Sequence, residues 1–569
     1  MSELSGWQCA PTNVLEEIFA LLPLKNLGRC SQVCYQWFIA SSTDYPWRKF
    51  VFKDGVFVRR KYTQHSGWQY HIDHWRLRFL ISNASRKWRV LVIEPVTNLF
   101  NLYEFFRVLT NFSEYYERNT EEDRPLGKIR QFHFQWRLQV DDEIAGVHRD
   151  KDIGTGGEML HTLSNLLTHL HGLKVLSLID LQLTFWEGDQ FLNDLLAKFS
   201  TQLEYLSLLN VSLRPRAFLQ PALFLNLRQL VVSPQMIGDD NLSLIACLRR
   251  LQTLTIVQDE KCDLVVPCSS KAWQVFTEQN CSRTRLWLIL KGKPKCALII
   301  QPCAPVFGIK MEESSGQLTN GIADQISLYY SETLEVFEQC GLERMKRGKK
   351  MKERADLALV LLASKCQSLK MLACRERIAH GTALILATFA RKKSFQLTLR
   401  KNGLLKRVCW SRREVSEMDI SFDWLKRHSK NLILVMEEIR RLTSQTRVII
   451  DDKCYKTTLK FREFFRKFFT HIDLVTSLDI KVPRNANFDS FENETNYILS
   501  LSPNHPGSVT RKHGRKLRIL EKNEFEVTRL SQHFGDKAPP LAVVTIPQKL
   551  IFRAFIRKAR PREYTSPAR

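Results

Sequence analysis

A short leucine pattern, repeated along the middle of the chain, restricts the possible folds more than any other feature of the sequence. The pattern is Leu-x-x-Leu-x followed by an apolar residue, and its four clearest copies begin at Leu173, Leu203, Leu227 and Leu251. The spacings between these starts are 30, 24 and 24 residues. Because alternate residues of a strand face the same way, each copy predicts a strand with one apolar face. A single unit of this length cannot bury that face alone, so the copies predict stacked units.

The segments between the copies carry helical apolar spacing, as in residues 190–198, and predict helices that pack behind the strands. The pattern resembles the leucine-rich repeat, in a degenerate form that lacks the repeat asparagines. An ordinary α/β sheet with leucine-rich strands is the alternative. Weaker copies predict further strands in residues 88–93, 129–134, 285–290, 333–337, 369–372 and 474–480. We therefore predict an α/β fold with an irregular leucine-rich-repeat solenoid over residues 53–500.

The first fifty residues carry a different pattern. Apolar residues follow Pro11 at helical spacing until Pro23, which ends the run, and a second run begins near Asn26. Asn13 and Glu16 are spaced as in a capping box at the start of the first run. Three short helices are predicted, and a module of about 40 residues buries little surface by itself. Such a module needs a partner protein, or it serves as a helical cap on the next domain.

These residues resemble the F-box motif over residues 8–50. The resemblance is carried by a proline, a Leu-Pro turn, a Val-Cys-x-x-Trp core and a final tryptophan, at Pro11, Leu22, Pro23, Val33, Cys34, Trp37 and Trp47. Ala10 and Pro46 stand where the family usually has leucine. The resemblance implies docking on the Skp adaptor of an SCF ubiquitin ligase and, through the adaptor, on a cullin scaffold.

The resemblance also divides the apolar residues into two groups by their position in the motif. The candidates for adaptor binding are Pro11, Leu15, Ile18, Leu22 and Leu24. The candidates for the internal core of the F-box are Phe19, Leu27, Val33, Cys34, Trp37 and Trp47. A fully buried Leu, Ile or Phe contributes roughly 1.5–3 kcal/mol, so four or five such contacts suffice for a stable interface.

The chain is strongly basic, with 85 Lys and Arg against 59 Asp and Glu, a net charge of +26. Residues 391–413 hold nine basic residues and no acidic one, which indicates either a solvated surface or a site for an acidic partner. Residues 505–569 hold fifteen basic and five acidic residues, interrupted by prolines. We predict that residues 501–569 form a basic, poorly ordered tail.

No catalytic constellation is recognisable, and the chain is predicted not to be an enzyme. The fourteen cysteines include no Cys-x-x-Cys pair, so neither a metal site nor a cofactor is predicted. A secretory signal and a membrane-spanning run are not recognisable either, which predicts a cytoplasmic or nuclear protein with reduced cysteines.

Two functions remain open. The first is a substrate-recognition subunit of an SCF-type ubiquitin ligase, which binds the Skp adaptor through the F-box and a protein substrate through the repeats. The second is a basic nucleic-acid or chromatin-associated repeat protein without a ligase role, in which the N-terminal helices are only a cap.

Overall fold

A computed structural model describes residues 7, 10–64, 67–96, 99–119, 125–135, 158–212, 217–262, 267–280, 283–291, 299–312, 317–340, 354–445 and 448–452. Their α-helices are α1 Thr12–Ala20, α2 Leu24–Cys30, α3 Tyr35–Ser42, α4 His74–Ala84, α5 Leu99–Asn119, α6 Glu158–Thr168, α7 Phe185–Phe199, α8 Asp239–Ala246, α9 Ser270–Asn280, α10 Asn320–Tyr329, α11 Asp356–Lys365, α12 His380–Lys393, α13 Arg412–Glu417, α14 Phe422–His428 and α15 Leu432–Thr443. Their strands are β1 Lys49–Phe52, β2 Val58–Thr63, β3 Gly67–Ile72, β4 Val90–Ile93, β5 Gln131–Gln135, β6 Val175–Ile179, β7 Tyr205–Leu209, β8 Gln229–Val232, β9 Thr253–Gln258, β10 Arg285–Leu290, β11 Val306–Met311, β12 Val336–Gln339, β13 Met371–Cys374, β14 Ile378–Ala379, β15 Gln396–Arg400, β16 Leu404–Leu405 and β17 Ile449–Ile450.

The described residues fall into two compact units. The first holds the residues up to Arg130 together with His169–His171. After helices α1–α3, its strand β1 pairs in parallel with β4, and β2 and β3 form an antiparallel hairpin. Its core is a stack of aromatic rings: the centroid of Phe50 lies 4.4 Å from that of Trp88, and the rings of Phe52 and Phe105 lie 4.2 Å apart. Stacked rings at these distances add to the stability from area burial alone.

The second unit begins at Gln131 and is organised by parallel strands. Strands β5 to β13, without interruption, and then β15 and β17 lie side by side in the order in which they occur in the chain. The short strands β14 and β16 pair separately. Parallel neighbours need a crossover between them, and helices such as α7, α8 and α9 supply it.

The four clear leucine copies form neighbouring strands of this unit, as predicted. In the register of β6 to β9, Leu176 pairs with Leu206, Leu206 with Leu230, and Leu230 with Leu254. All four of these side chains are completely buried. The predicted helix at residues 190–198 lies inside α7, whose apolar side faces the core through Phe191, Leu195 and neighbouring residues. One row of leucines thus runs across the successive strands. The leucine of each strand is covered by the leucines of the neighbouring strands.

Buried polar contacts join the turns that follow these strands. Asn210 follows β7 in the left-handed backbone region, with φ of 51°, which asparagine tolerates better than most residues. Its amide Nδ2 donates to Asp180 Oδ1 at 2.9 Å and to Asp259 Oδ2 at 2.7 Å. Lys261 Nζ lies 2.9 Å from Asp180 Oδ2. One asparagine therefore connects the turns that follow three strands, β6, β7 and β9.

The weaker sequence candidates in residues 88–93, 129–134, 285–290, 333–337 and 369–372 also overlap strands, namely β4, β5, β10, β12 and β13. The candidate in residues 474–480 and the predicted tail 501–569 lie outside the described residues. The sequence did not predict strands β1, β2, β3, β11, β14, β15, β16 and β17. The described residues establish a mixed α/β protein with N-terminal helices and a large parallel sheet, and they do not establish a leucine-rich-repeat solenoid over residues 53–500. None of the described helices has the length and apolar character needed to cross a membrane.

The register of strand β11 explains why the leucine pattern did not predict this strand. The pairing with β10 shifts register after Leu286, so the apolar residues Val306 and Ile309 are three positions apart where the pattern has two. Gly308 lies opposite Trp287 of β10. A Cβ atom at Gly308 would lie 2.5–2.8 Å from three carbon atoms of the Trp287 ring. The indole thus fills the space above the glycine.

This arrangement predicts that Gly308→Ala destabilises the second unit. The added methyl group forces the buried indole to move, and overpacking of this kind costs about 1–3 kcal/mol. Gly321 in α10 is the matched control, because a Cβ atom there meets nothing within 4 Å. Gly321→Ala should leave the free energy of unfolding unchanged or raise it by up to about 1 kcal/mol. Urea denaturation of both variants measures the difference, and equal midpoints would contradict the contact with Trp287.

Candidate functional site

Two prolines set the geometry of the N-terminal helices. Pro11 is the N-cap of α1, with φ of −55°, and Pro23 is the N-cap of α2, with φ of −60°. A proline ring holds φ near the helical value and is tolerated at the first turn. The capping box predicted for Asn13 and Glu16 is wrong, because α1 begins at Thr12 and its cap receives no side-chain hydrogen bond. The second helix likewise begins at Leu24, not at Asn26.

The core of the three helices is small and aromatic at its edge. Leu15, Phe19, Leu27 and Ala40 are buried together, and Trp37 and Trp47 pack against them while half-buried. The Phe19 and Trp37 rings meet edge to face with centroids 5.3 Å apart. Phe19, Leu27, Trp37 and Trp47 thus occupy or adjoin the core for which the sequence proposed them.

Hydrogen bonds from the two indoles fix this core to the backbone around it. Trp37 Nε1 donates to the Trp7 carbonyl oxygen at 3.1 Å, and Trp47 Nε1 donates to the Ser41 carbonyl oxygen at 2.7 Å. Buried tryptophans generally need such a partner for the ring N–H. The helices also connect to the rest of the first unit, since Lys87 Nζ donates to the Ser42 carbonyl oxygen at 2.5 Å.

Three residues lie where the sequence analysis did not expect them. Leu15, a candidate for adaptor binding, is 1% exposed and belongs to the core. The reason is that Leu15 and Phe19, four residues apart, share the side of α1 that meets α3. Val33, a candidate for the core, is 57% exposed in the turn between α2 and α3, and Cys34 beside it is half-buried as the N-cap of α3.

A second, solvent-facing side of α1 is also apolar. Its members lie in α1, at the two caps of α1, or between α1 and the first residue of α2, and all are exposed or half-buried; we call them the α1 ridge: Pro11, Val14, Ile18, Leu21, Leu22 and Leu24. The half-buried Ile18 and Leu22 also pack against the core. Leu21 is 86% exposed, and Val14 is 41% exposed. Neither was proposed from the sequence. A broad apolar stripe does not reveal which half faces the core, and only the position of α3 decides it.

The structure describes two half-buried cysteines in these helices, Cys30 and Cys34. Burial raises the pKa of the Cys30 thiol, which keeps it protonated near neutral pH. Within the described ranges, no group of three or more His, Cys, Asp or Glu side chains is arranged to hold a metal ion. What the α1 ridge can do is bury apolar surface against another protein.

Comparison with known families agrees with this geometry. A family model described as F-box-like matches residues 7–53, which cover α1, α2, α3 and strand β1. The chain therefore carries an F-box-like domain at its N-terminal end, and domains of this type bind Skp-type adaptors. No curated protein matches the chain.

The division of the apolar residues into a core and a ridge predicts different results for Leu15 inside α1 and for Leu21 at its C-cap. Leu15→Ala should destabilise the three helices by about 2–5 kcal/mol, because it leaves a cavity in a small core. Leu21→Ala should change their stability by no more than about 0.5 kcal/mol, because its side chain already faces solvent. Hydrogen–deuterium exchange of the α1–α3 amides in the full chain measures both effects. Faster exchange in Leu21→Ala than in Leu15→Ala would reverse the assignment.

Proposed function

We propose that this chain is a substrate-recognition subunit of an SCF-type ubiquitin ligase. Its F-box-like domain binds a Skp-type adaptor through the α1 ridge, and the adaptor connects it to a cullin scaffold. The observation that carries the proposal is the coincidence of the F-box-like match with six exposed or half-buried apolar residues along α1 and up to the start of α2. At roughly 1.5–3 kcal/mol for each fully buried side chain, a few of these residues supply a stable interface.

In this proposal the chain itself performs no chemistry. The ligase brings a ubiquitin-conjugating enzyme close to a substrate lysine, and the rate rises because the local concentration of the reacting groups rises. The predicted adaptor contacts Pro11, Ile18, Leu22 and Leu24 remain part of the proposal, and Val14 and Leu21 join them in place of Leu15. The proposal also includes the three predicted segments. They are the F-box at residues 8–50, a leucine-rich-repeat segment at residues 53–500 that holds the substrate, and the basic tail at residues 501–569.

The proposal predicts that charge on the α1 ridge abolishes adaptor binding without unfolding the chain. The double variant Val14→Asp/Leu21→Asp places two carboxylates where apolar side chains would be buried, and an unpaired buried charge costs several kcal/mol. We expect at least a hundredfold loss of affinity for a purified Skp adaptor in biolayer interferometry, that is, roughly 2.7 kcal/mol or more.

The matched control is Leu328→Asp, since Leu328 is a 72% exposed leucine on α10 of the second unit. It should bind the adaptor as the unmodified chain does. Undiminished binding by Val14→Asp/Leu21→Asp, with normal circular dichroism, would refute docking through the α1 ridge. Absence of adaptor binding by the unmodified chain would refute the proposed function and would favour the nucleic-acid alternative.

A further inference from the structure

Strands β2 and β3 form a hairpin that pairs with no other described strand. An isolated two-stranded hairpin is marginally stable in water, so it needs an anchor. At the base of this hairpin, the amide of the buried Ile72 donates to Asn101 Oδ1 of α5 at 2.9 Å. The Asp73 amide donates to the Phe57 carbonyl oxygen at 2.6 Å. Tyr62, toward the other end of β2, is 58% exposed. The hairpin is thus fixed at its base and presents an aromatic side chain to solvent near its tip.

Basic residues are concentrated on the hairpin and on the segments beside it. Residues 53–78 hold two Asp, no Glu and six Lys and Arg, which are Lys53, Arg59, Arg60, Lys61, Arg76 and Arg78. One of the acidic residues, Asp73, is the N-cap of α4, where its Oδ1 accepts from the Arg76 amide at 3.3 Å and its Oδ2 lies 3.3 Å from Arg76 Nε. The other, Asp54, is exposed in the turn before β2. The region therefore carries net positive charge, which attracts an anionic partner.

Aromatic residues stand among these basic residues. In the register of the hairpin, Trp68 pairs with Tyr62, and Tyr70 pairs with Arg60. Trp75 lies in the first turn of α4 and is 84% exposed. Among the side chains of residues 49–130 that the structure describes, Tyr62 and Trp75 are exposed and no large aliphatic side chain is. We give the name hairpin surface to five exposed residues: Arg59, Tyr62, Trp75, Arg76 and Arg78.

The two exposed rings lie at different ends of the hairpin. Val58 and Ile72 pair at its base. Tyr62 lies four residues beyond Val58, which is roughly 14 Å along the strand. Trp75 lies three residues after Ile72, near the base. A ligand that contacts both rings must therefore be extended, and a compact anion would reach only one of them.

A polyanion with unpaired bases fits this surface best. Proteins that bind single-stranded nucleic acid combine basic groups along the backbone with aromatic rings on which bases stack. In a duplex the bases stack on each other, so an exposed ring such as Trp75 finds no free base to contact. An anionic membrane fits less well, because interfacial segments insert aliphatic as well as aromatic side chains. The described side chains of residues 49–130 expose no large aliphatic one.

We propose that the hairpin surface binds a single-stranded nucleic acid. Tyr62 and Trp75 each stack on a base. Arg59, Arg76 and Arg78 contact phosphates of the same strand. RNA and DNA share this chemistry, and the experiment separates them. This activity goes beyond the proposed function and does not depend on it, because adaptor binding is assigned to the α1 ridge.

The test measures fluorescence anisotropy of labelled twelve-nucleotide RNA and DNA strands of random sequence with the full chain. Tyr62→Ala/Trp75→Ala should weaken binding of the better-bound strand at least about tenfold, because two stacking contacts are lost. The dependence of its affinity on salt should not change, since no charge is removed. Both side chains are largely exposed, so the variant should keep the circular dichroism of the unmodified chain.

Arg59→Gln/Arg78→Gln tests the phosphate contacts separately. It removes two of them, so the slope of log affinity against log salt concentration should become shallower by about 1.4, at roughly 0.7 for each contact with a single strand. An unchanged slope would exclude phosphate contacts by these arginines and would overturn the proposal.

The controls separate a site from general attraction, which a net charge of +26 produces in any case. For the rings, the matched control is Trp186→Ala, which removes a 79% exposed tryptophan from α7 of the second unit. For the charges, it is Lys426→Gln/Arg427→Gln, two adjacent exposed basic residues of α14. Both controls should retain affinity within about twofold, a change typical of exposed charges outside a site.

Three results would overturn the proposal. The first is an equal loss of affinity in Tyr62→Ala/Trp75→Ala and in Trp186→Ala. The second is equal affinity for a duplex of the same length. The third is binding to vesicles of phosphatidylcholine and phosphatidylserine that requires Tyr62 and Trp75 while binding of nucleic acid does not, which would assign the surface to membranes.

Adaptor binding of the same variants separates the two proposals. Tyr62→Ala/Trp75→Ala should bind the Skp adaptor normally, and Val14→Asp/Leu21→Asp should bind the single strand normally. A chain that binds the strand through the hairpin surface but binds no adaptor would support this inference and refute the proposed function. A chain that binds adaptor but no strand would do the reverse.

Discussion

The structure of the second unit depends on one constraint: a strand and helix of about 25 residues cannot bury their own leucines. The Leu206 side chain is completely buried because Leu176 lies on one side of it and Leu230 on the other. The backbone faces the same requirement, since each interior parallel strand needs neighbours on both edges for its hydrogen bonds. Polar groups at the ends of the strands also need hydrogen-bond partners. The Asn210 side chain meets this need because it donates to two carboxylates from different turns.

The same constraint explains which parts of the fold could be predicted from the sequence. Strands β6 to β9 were recognised because their leucines repeat in one register, and α7 was recognised because its apolar spacing has the helical period. Strand β11 was missed because its pairing with β10 shifts register, which places its apolar residues Val306 and Ile309 three positions apart instead of two. Strand β15 was missed because the basic residues around it dominate the composition, although Leu397 and Leu399 alternate as a buried strand requires.

The N-terminal domain shows a finer limit of prediction. The sequence identified the apolar residues of α1 correctly but not the side of the helix on which each lies. Leu15 and Val14 are consecutive residues, and a rotation of about 100° about the helix axis separates a buried side chain from one that is 41% exposed. Their assignment depends on where α3 crosses, which is a tertiary contact.

The N-terminal helices obey the same constraint on a smaller scale. Ile18 and Leu22 of the α1 ridge pack against the core of the three helices while remaining half-exposed to solvent. The ridge is apolar, so its affinity for a partner would depend on buried area and change little with salt. A partner that covers the ridge would therefore extend the small core of the three helices, as each strand of the second unit extends the core of its neighbours.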